Sequence, residues 1–422
     1  MLKRVLLPNG LRVLFYPMKS TEAATILFLA RAGSKYETKD LNGISHLLEH
    51  LLFRGTRKWP KPTSISQELD QIGGFYNAFT DKEILGIVIK VGTENFSLAV
   101  DILADMVISP LFKEDGIAKE KKVVVEEINM REDDSQTLVL DLWEKLLYGD
   151  QPAGWLTIGT KETVGLISRK DLFRHLRDSF VAKNSTVVVA GNLKEDEVRR
   201  GIEKRFSVLD KTRGKEKLSA KENQKESEVL LHYKKTDQTH LCLGVRTVDA
   251  FSPKKYPLAV ISALLGGMMS SRLFVEVREK RGLAYYLRTF SEHYTDTGYL
   301  VTHAGLNNEK VLEAVKIICR QYQKLKTEKI SGQELTKIKE NLRGRLKLGL
   351  ETSDDFASFY GLQEILGGEV LSPDQKWQKI AKITPDDILK VAREFFQPQK
   401  LNLALIGPCK DKEKILRVLK RI

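Results

Sequence analysis

Apolar runs and turn signals alternate from the start of the chain. Val5 to Leu7 and Leu11 to Tyr16 flank Asn9-Gly10, a favoured tight-turn pair, and predict two hairpin strands. Thr25 to Ala32 predicts a further strand, stopped by Gly33-Ser34. Neither Pro nor Gly occurs between Ile44 and Arg54, so a helix follows Asn42-Gly43. Ser64 to Ile72 predicts another helix, capped by Ser64 or Thr63 and closed by Gly73-Gly74. Phe75 to Thr80 and Ile84 to Val91 are strand-like and joined by the polar turn Asp81-Lys82-Glu83. Helices come next, from about Thr93 to Ile108 and from about Lys113 to Met130. A helix at Leu138 to Tyr148, one capped near Ser168, a strand at Thr186 to Ala190 and a helix at Glu195 to Phe206 complete the first half.

Residues 211–228 break this pattern. They hold one Leu and no aromatic residue, a composition too polar to pack, and predict an interdomain linker. The predicted organisation is an N-terminal domain at 1–210, the linker, and a C-terminal domain at 229–422. The second half repeats the first. Phe180 to Glu197 and Phe396 to Glu413 both run from an aromatic residue through an apolar strand to Gly at the same offset, then into a basic helix. His240 to Arg246 matches the strand at Thr25 to Ala32. The helix after it, Tyr256 to Leu265, takes the place of the helix after Gly43 but carries no histidine and no glutamate.

Composition narrows the classes. At 422 residues the chain suits two domains of about 200. Its formal charge is +13, but the basic residues are spread along the chain and match no nucleic-acid motif, so nucleic acid is not an expected partner. Cys242, Cys319 and Cys409 are far apart and form no Cys-x-x-Cys pair, which points to a reducing compartment, and cytoplasm is the expectation. The N-terminal apolar run stops at Pro8-Asn9-Gly10, too short for a secretion signal. No apolar run reaches the 18 or so residues of a membrane span.

The chemistry centres on Ile44 to Arg54. His46 and His50 are four residues apart, so on a helix their rings share one face and point at one place, as two metal ligands must. Glu49 lies at the edge of that face, within reach of a water held there. The order His-x-x-Glu-His is the inverzincin pattern, which needs a third ligand. The helix at Lys113 to Met130 offers one. Ile117, Val124 and Ile128 form an apolar stripe, and Glu120 and Glu127 fall on the same face seven residues apart, whereas Glu126 sits about 100° round. A carboxylate buried in that stripe costs several kcal/mol unless a cation or a proton neutralises it. The competing reading is a solvated helix with both glutamates in water. Two histidines and one carboxylate with an open fourth position make a catalytic zinc site.

These residues resemble the pitrilysin, insulin-degrading-enzyme and mitochondrial-processing-peptidase family of zinc metallopeptidases, over essentially the whole chain. His46-Leu-Leu-Glu49-His50, followed by Phe53-Arg54-Gly55-Thr56, looks like the family's signature helix. The resemblance implies Glu127 as third ligand, Glu49 as the base and Glu120 as a support for the ligands. Gly73-Gly74-Phe75-Tyr76-Asn77-Ala78-Phe79-Thr80 is similar to a family stretch that pairs with substrate as an added strand, which implies substrate contacts at Asn77, Ala78 and Phe79. Ser270 to Tyr285 looks like the family's Arg and Tyr segment, implying that Arg278 and Tyr285 hold the substrate backbone and stabilise its oxyanion. The implied fold is α+β, two homologous αβ sandwich domains with mostly antiparallel sheets. The implied activity is zinc-dependent endopeptidase action on short or unfolded peptides, with one zinc per chain, in a chamber of four such domains. A homodimer supplies all of them, since one chain holds both residue sets. A heterodimer with a homologous chain, or a non-catalytic partner subunit, is the alternative.

Overall fold

The computed structural model describes residues 1–421. Strands β1 (Lys3–Leu6), β2 (Arg12–Pro17), β3 (Ala23–Ala30), β4 (Phe75–Thr80), β5 (Leu85–Gly92) and β6 (Ser185–Gly191) form one sheet in the order β1-β2-β6-β3-β5-β4. Strands β7 (Glu228–Tyr233), β8 (Gln238–Thr247), β9 (Ala284–His293), β10 (Gly298–Asn307) and β11 (Leu401–Gly407) form a second, in the order β7-β11-β8-β10-β9. Within each sheet one pair is parallel, β2 with β6 and β7 with β11, and the rest are antiparallel. Removing β1 makes the two orders equivalent, so the repeat seen in sequence is also a repeat of topology. The fold is the expected α+β pair of helix-covered sheets.

The apolar run at Thr186 to Ala190 reflects burial on both faces of the first sheet. Val187 and Val189 join Ile26, Phe28, Ile87 and Ile89 in a core against the helices Ile44–Leu52 and Phe96–Ile108. Val188 and Ala190, with Leu27 and Leu29, face the opposite way onto Ala357, Tyr360 and Ile365 of the helix Ser353–Ile365. Ser353 Oγ also lies 2.7 Å from Thr25 Oγ1 in a buried hydrogen bond. In the second sheet, Cys242, Val301, Ala404 and Ile406 pack on Val139, Trp143 and Leu147 of the helix Ser135–Tyr148. Its other face, with Leu241, Leu243, Leu403 and Leu405, meets the helices Lys255–Gly266 and Val311–Thr327.

The compact units therefore do not follow chain order. One consists of residues 1–129, 155–218 and 348–371, and the other of 130–154, 219–347 and 372 onward. Each half of the sequence contributes one helix to the other half's sheet. Residues 211–227 form neither helix nor strand. No helix among the described residues is long and apolar enough to cross a membrane.

Candidate metal centre

The helix Ile44–Leu52 is only nine residues long, and Leu47, Leu48, Leu51 and Leu52 bury its core face. Its start is held from upstream. The buried carboxylate of Glu37 accepts from the backbone N–H groups of Gly43 (2.8 Å) and Ser45 (2.9 Å) and from Asn42 Nδ2 (2.9 Å). The two backbone N–H groups are donors that a helix N-terminus otherwise leaves unsatisfied. Burial pushes the Glu37 carboxyl above its usual range, and the donated hydrogen bonds oppose that shift. Gly43 has φ of 95°, and a Cβ there would lie 2.7 Å from the Ile158 carbonyl, so no other residue fits. Behind the helix, Ser45 Oγ contacts Nε2 of buried His175 at 2.9 Å. Burial lowers the pKa of that imidazole to about 4.

The opposite face presents His46 and His50, with ring centroids 4.7 Å apart. The helix Glu114–Asp133 runs beside them. One oxygen of Glu127 lies 3.7 Å from His46 Nε2 and 3.6 Å from His50 Nε2. One ligand atom from each of the three residues falls within 4.8 Å of the others. Donors about 2.0–2.1 Å from one tetrahedral zinc lie roughly 3.3 Å apart, so this spacing fits the ion with little adjustment. Two imidazole nitrogens and a carboxylate also suit zinc chemically. Glu120, 3% exposed, sits one step back: one oxygen is 3.2 Å from His50 Nδ1 and the other 2.7 Å from Arg54 Nη2. That contact aims His50 Nε2 at the centre. Glu126 is exposed and bonded by Asn129 Nδ2 at 3.3 Å, away from the cluster.

Glu49 stands at the junction of this helix with β4, where it accepts a 2.6 Å hydrogen bond from Thr80 Oγ1. Burial raises its pKa, partly offset by that bond and by His50. β4 is an edge strand, paired only with β5. Asn77 and Phe79 lie on its exposed face. Ala78 is buried, and its N–H is bonded by Asn77 Oδ1 at 2.9 Å. The Phe79 ring lies over Gly86, where a Cβ would come within 2.3 Å of it. Arg278 and Tyr285 belong to the other unit. Arg278 is on the π-helical turn Phe274–Glu279 with its guanidinium 4.8 Å over the Phe274 ring, and Tyr285 is 58% exposed on β9. The structure adds Glu37, Arg54, Thr80 and His175 to the residues read from sequence. For Thr80 there was a usable signal, since period-two alternation puts it on the same face as Ala78.

Residues 12–161 match a family model described as insulinase (peptidase family M16), and residues 166–342 match one described as the peptidase M16 inactive domain. The chain is 34% identical over 411 residues to YmxG of Bacillus subtilis, an uncharacterized zinc protease, covering 97% of this chain and 98% of that one. A Helicobacter pylori protease of known structure superposes with a TM-score of 0.92 at 25% identity, over 97% of this chain and 99% of that chain. A chain in the structure of complex III2 from Candida albicans shares the fold, with a TM-score of 0.84 at 19% identity and 99% of both chains covered.

Proposed function

Since the chain belongs to the M16 insulinase family of peptidases, we propose that it is a zinc-dependent endopeptidase that cuts short or unfolded peptides inside a chamber formed by dimerisation. The observation that carries this reading is the convergence of His46, His50 and Glu127 beside the carboxylate of Glu49. Zinc held by those three side chains supplies Lewis acidity, polarising a carbonyl and lowering the pKa of water to about 7. Glu49 takes the proton of the attacking water and hands it to the departing amine. Thr80 fixes the carboxylate in place for both transfers. Glu120, braced by Arg54, keeps His50 oriented. The free edge of β4 receives the peptide as an added strand, with Asn77, Ala78 and Phe79 along it. Arg278 and Tyr285 are the proposed donors to the substrate backbone and the developing oxyanion. A homodimer is self-sufficient because one chain carries every one of these groups.

A second reading, a non-catalytic subunit paired with a homologous chain, is favoured by the likeness to the complex III2 chain and by the inactive-domain description of residues 166–342. Bound zinc and cleavage of a fluorogenic peptide separate the two. The peptidase reading expects about one zinc per chain. It also expects Glu49→Gln to keep the metal while losing roughly 100- to 10,000-fold in kcat. Zinc without cleavage by the wild type points to a missing partner chain. A chain that takes up no zinc even on reconstitution is the non-catalytic subunit.

A further inference from the structure

The two helices that bring His46, His50 and Glu127 together are also joined away from that cluster. Phe53 ends the helix Ile44–Leu52, and the chain after it is knit to the chain that enters Glu114–Asp133. Leu111 N–H donates to the Gly55 carbonyl at 3.1 Å, and Arg57 N–H to the Ser109 carbonyl at 3.0 Å. Thr56 and Pro110 form an antiparallel bridge between them. Lys113 Nζ reaches the Pro60 carbonyl at 2.8 Å. A third segment closes the tie. Arg169 donates from Nε to the Phe112 carbonyl (2.8 Å) and from Nη2 to the Leu111 carbonyl (3.2 Å), with its guanidinium 4.8 Å over the Phe173 ring.

Phe112 sits in the middle of this tie with φ of 44°, and among the described residues it is the one non-glycine residue with positive φ. A bulky side chain is strained there and holds the conformation only where its surroundings over-determine it. Phe112 is 2% exposed, with its ring 4.9 Å from that of Phe173. The Lys113 carbonyl accepts the first helical hydrogen bond, from Ile117 N–H at 2.9 Å. Phe112 therefore precedes the helix cap and Ile117 is the fourth helical residue, the two places whose apolar contact fixes the angle at which a chain enters a helix. Both belong to the same core. The helix has little else to set its rotation. Of its 20 residues only Ile117, Glu120, Val124 and Ile128 are buried, and one of these is a carboxylate. A turn of about 20° carries a side-chain tip, roughly 5–6 Å from the axis, about 2 Å sideways. A metal–ligand distance tolerates about 0.2 Å.

We propose that the strained Phe112, latched by Arg169, is a positioning element that fixes the rotation of the helix Glu114–Asp133 and so aims Glu120 and Glu127 at the two histidines. The inference rests on the zinc reading of the cluster for its effect on activity, and one arm of its test needs no metal. Arg169→Met keeps an apolar stem beside Phe173 and removes both hydrogen bonds. Phe112→Gly removes the strain together with the ring. Val198→Ala, in the same core but outside the tie, controls for lost stability alone. In metal-free protein carrying isotope-labelled histidine, the ring nitrogen signal of His50 reports its 3.2 Å contact with Glu120. Arg169→Met and Phe112→Gly should shift that signal, and Val198→Ala should leave it in place. Loaded with zinc, the first two should bind the ion about 10-fold more weakly and lose about 10-fold in kcat at unchanged KM, and their cobalt-substituted forms should change in visible absorption. A His50 signal and a cobalt spectrum that match the wild type in either variant, or an equal change in Val198→Ala, overturn the proposal. A wild type that binds neither zinc nor cobalt overturns the zinc reading instead, and the His50 signal still decides whether the tie sets the helix.

Discussion

Glu120 shows how much of the His46, His50 and Glu127 cluster is set by a residue outside it. It is 3% exposed, and a carboxylate so placed is tolerable only because His50 and Arg54 both face it. Replacing Glu120 with Gln keeps the shape and removes the charge, so the fold should persist while zinc binds about 10- to 100-fold more weakly, read by competition with a chelator of known affinity. Unchanged zinc affinity would show that Glu120 serves packing alone. The convergence of His46 and His50 was legible from a spacing of four residues, because a helix converts that spacing into a shared direction. The face of Glu127 was legible in the same way. Glu37 was not, because its contacts depend on where a loop returns in space, and alternation along β4 gave the face of Thr80 but not its contact with Glu49.

Elements were legible to within a few residues. The strand expected at Thr25 to Ala32 runs Ala23–Ala30, and the helix expected from Thr93 begins at Phe96. Buried strands and amphipathic helices leave a strong periodic trace. The packing of the β4–β5 turn left none. Its Glu83 lies 2.9 Å from Lys35 Nζ and 3.3 Å from Lys217 Nζ, with side-chain exposures of 4%, 0% and 13%. The Lys35 backbone N–H also bonds the Lys82 carbonyl at 2.9 Å. This buried pair anchors the hairpin that carries Thr80. Glu83→Gln leaves the Lys35 ammonium in the interior without this carboxylate and should cost about 3–5 kcal/mol in urea unfolding. The double variant Lys35→Met/Glu83→Leu should lose much less, because the fully buried ammonium leaves with its carboxylate and only the partly exposed Lys217 loses this contact. If the two cost the same, the charges are solvated and the pair is not an anchor.

At the scale of the molecule, acid should be destabilising. His175 in one unit and His303 in the other are buried, with pKa values lowered by burial to about 4 and about 3. An unfolded histidine titrates near 6.5. Between those values the unfolded chain binds protons that the folded chain refuses, so stability is full above pH 6.5 and falls as the pH drops toward 4. His175 alone accounts for about 3 kcal/mol of that loss. Urea midpoints at pH 7 and pH 4.5, measured in chelator so that metal release adds nothing, should show the fall, and His175→Gln should flatten it for the unit that contains it. A midpoint that does not move with pH would mean that His175 is protonated in the folded state.

The two-sheet repeat was visible in the sequence as matching strand-to-glycine stretches. Which sheet the helices Ser135–Tyr148 and Ser353–Ile365 would cover was not, since an apolar face does not name its partner. That arrangement governs how the protein can be made. When the ribosome has finished β6, the sheet face carrying Leu27, Leu29, Val188 and Ala190 has no cover, and its cover is encoded beyond residue 352. At about 10 residues per second, the nascent chain carries that bare face for roughly 15 s. The unit that holds His46, His50 and Glu127 is thus closed only after Ser353–Ile365 has been made, and a translation product truncated before that helix keeps the apolar face bare.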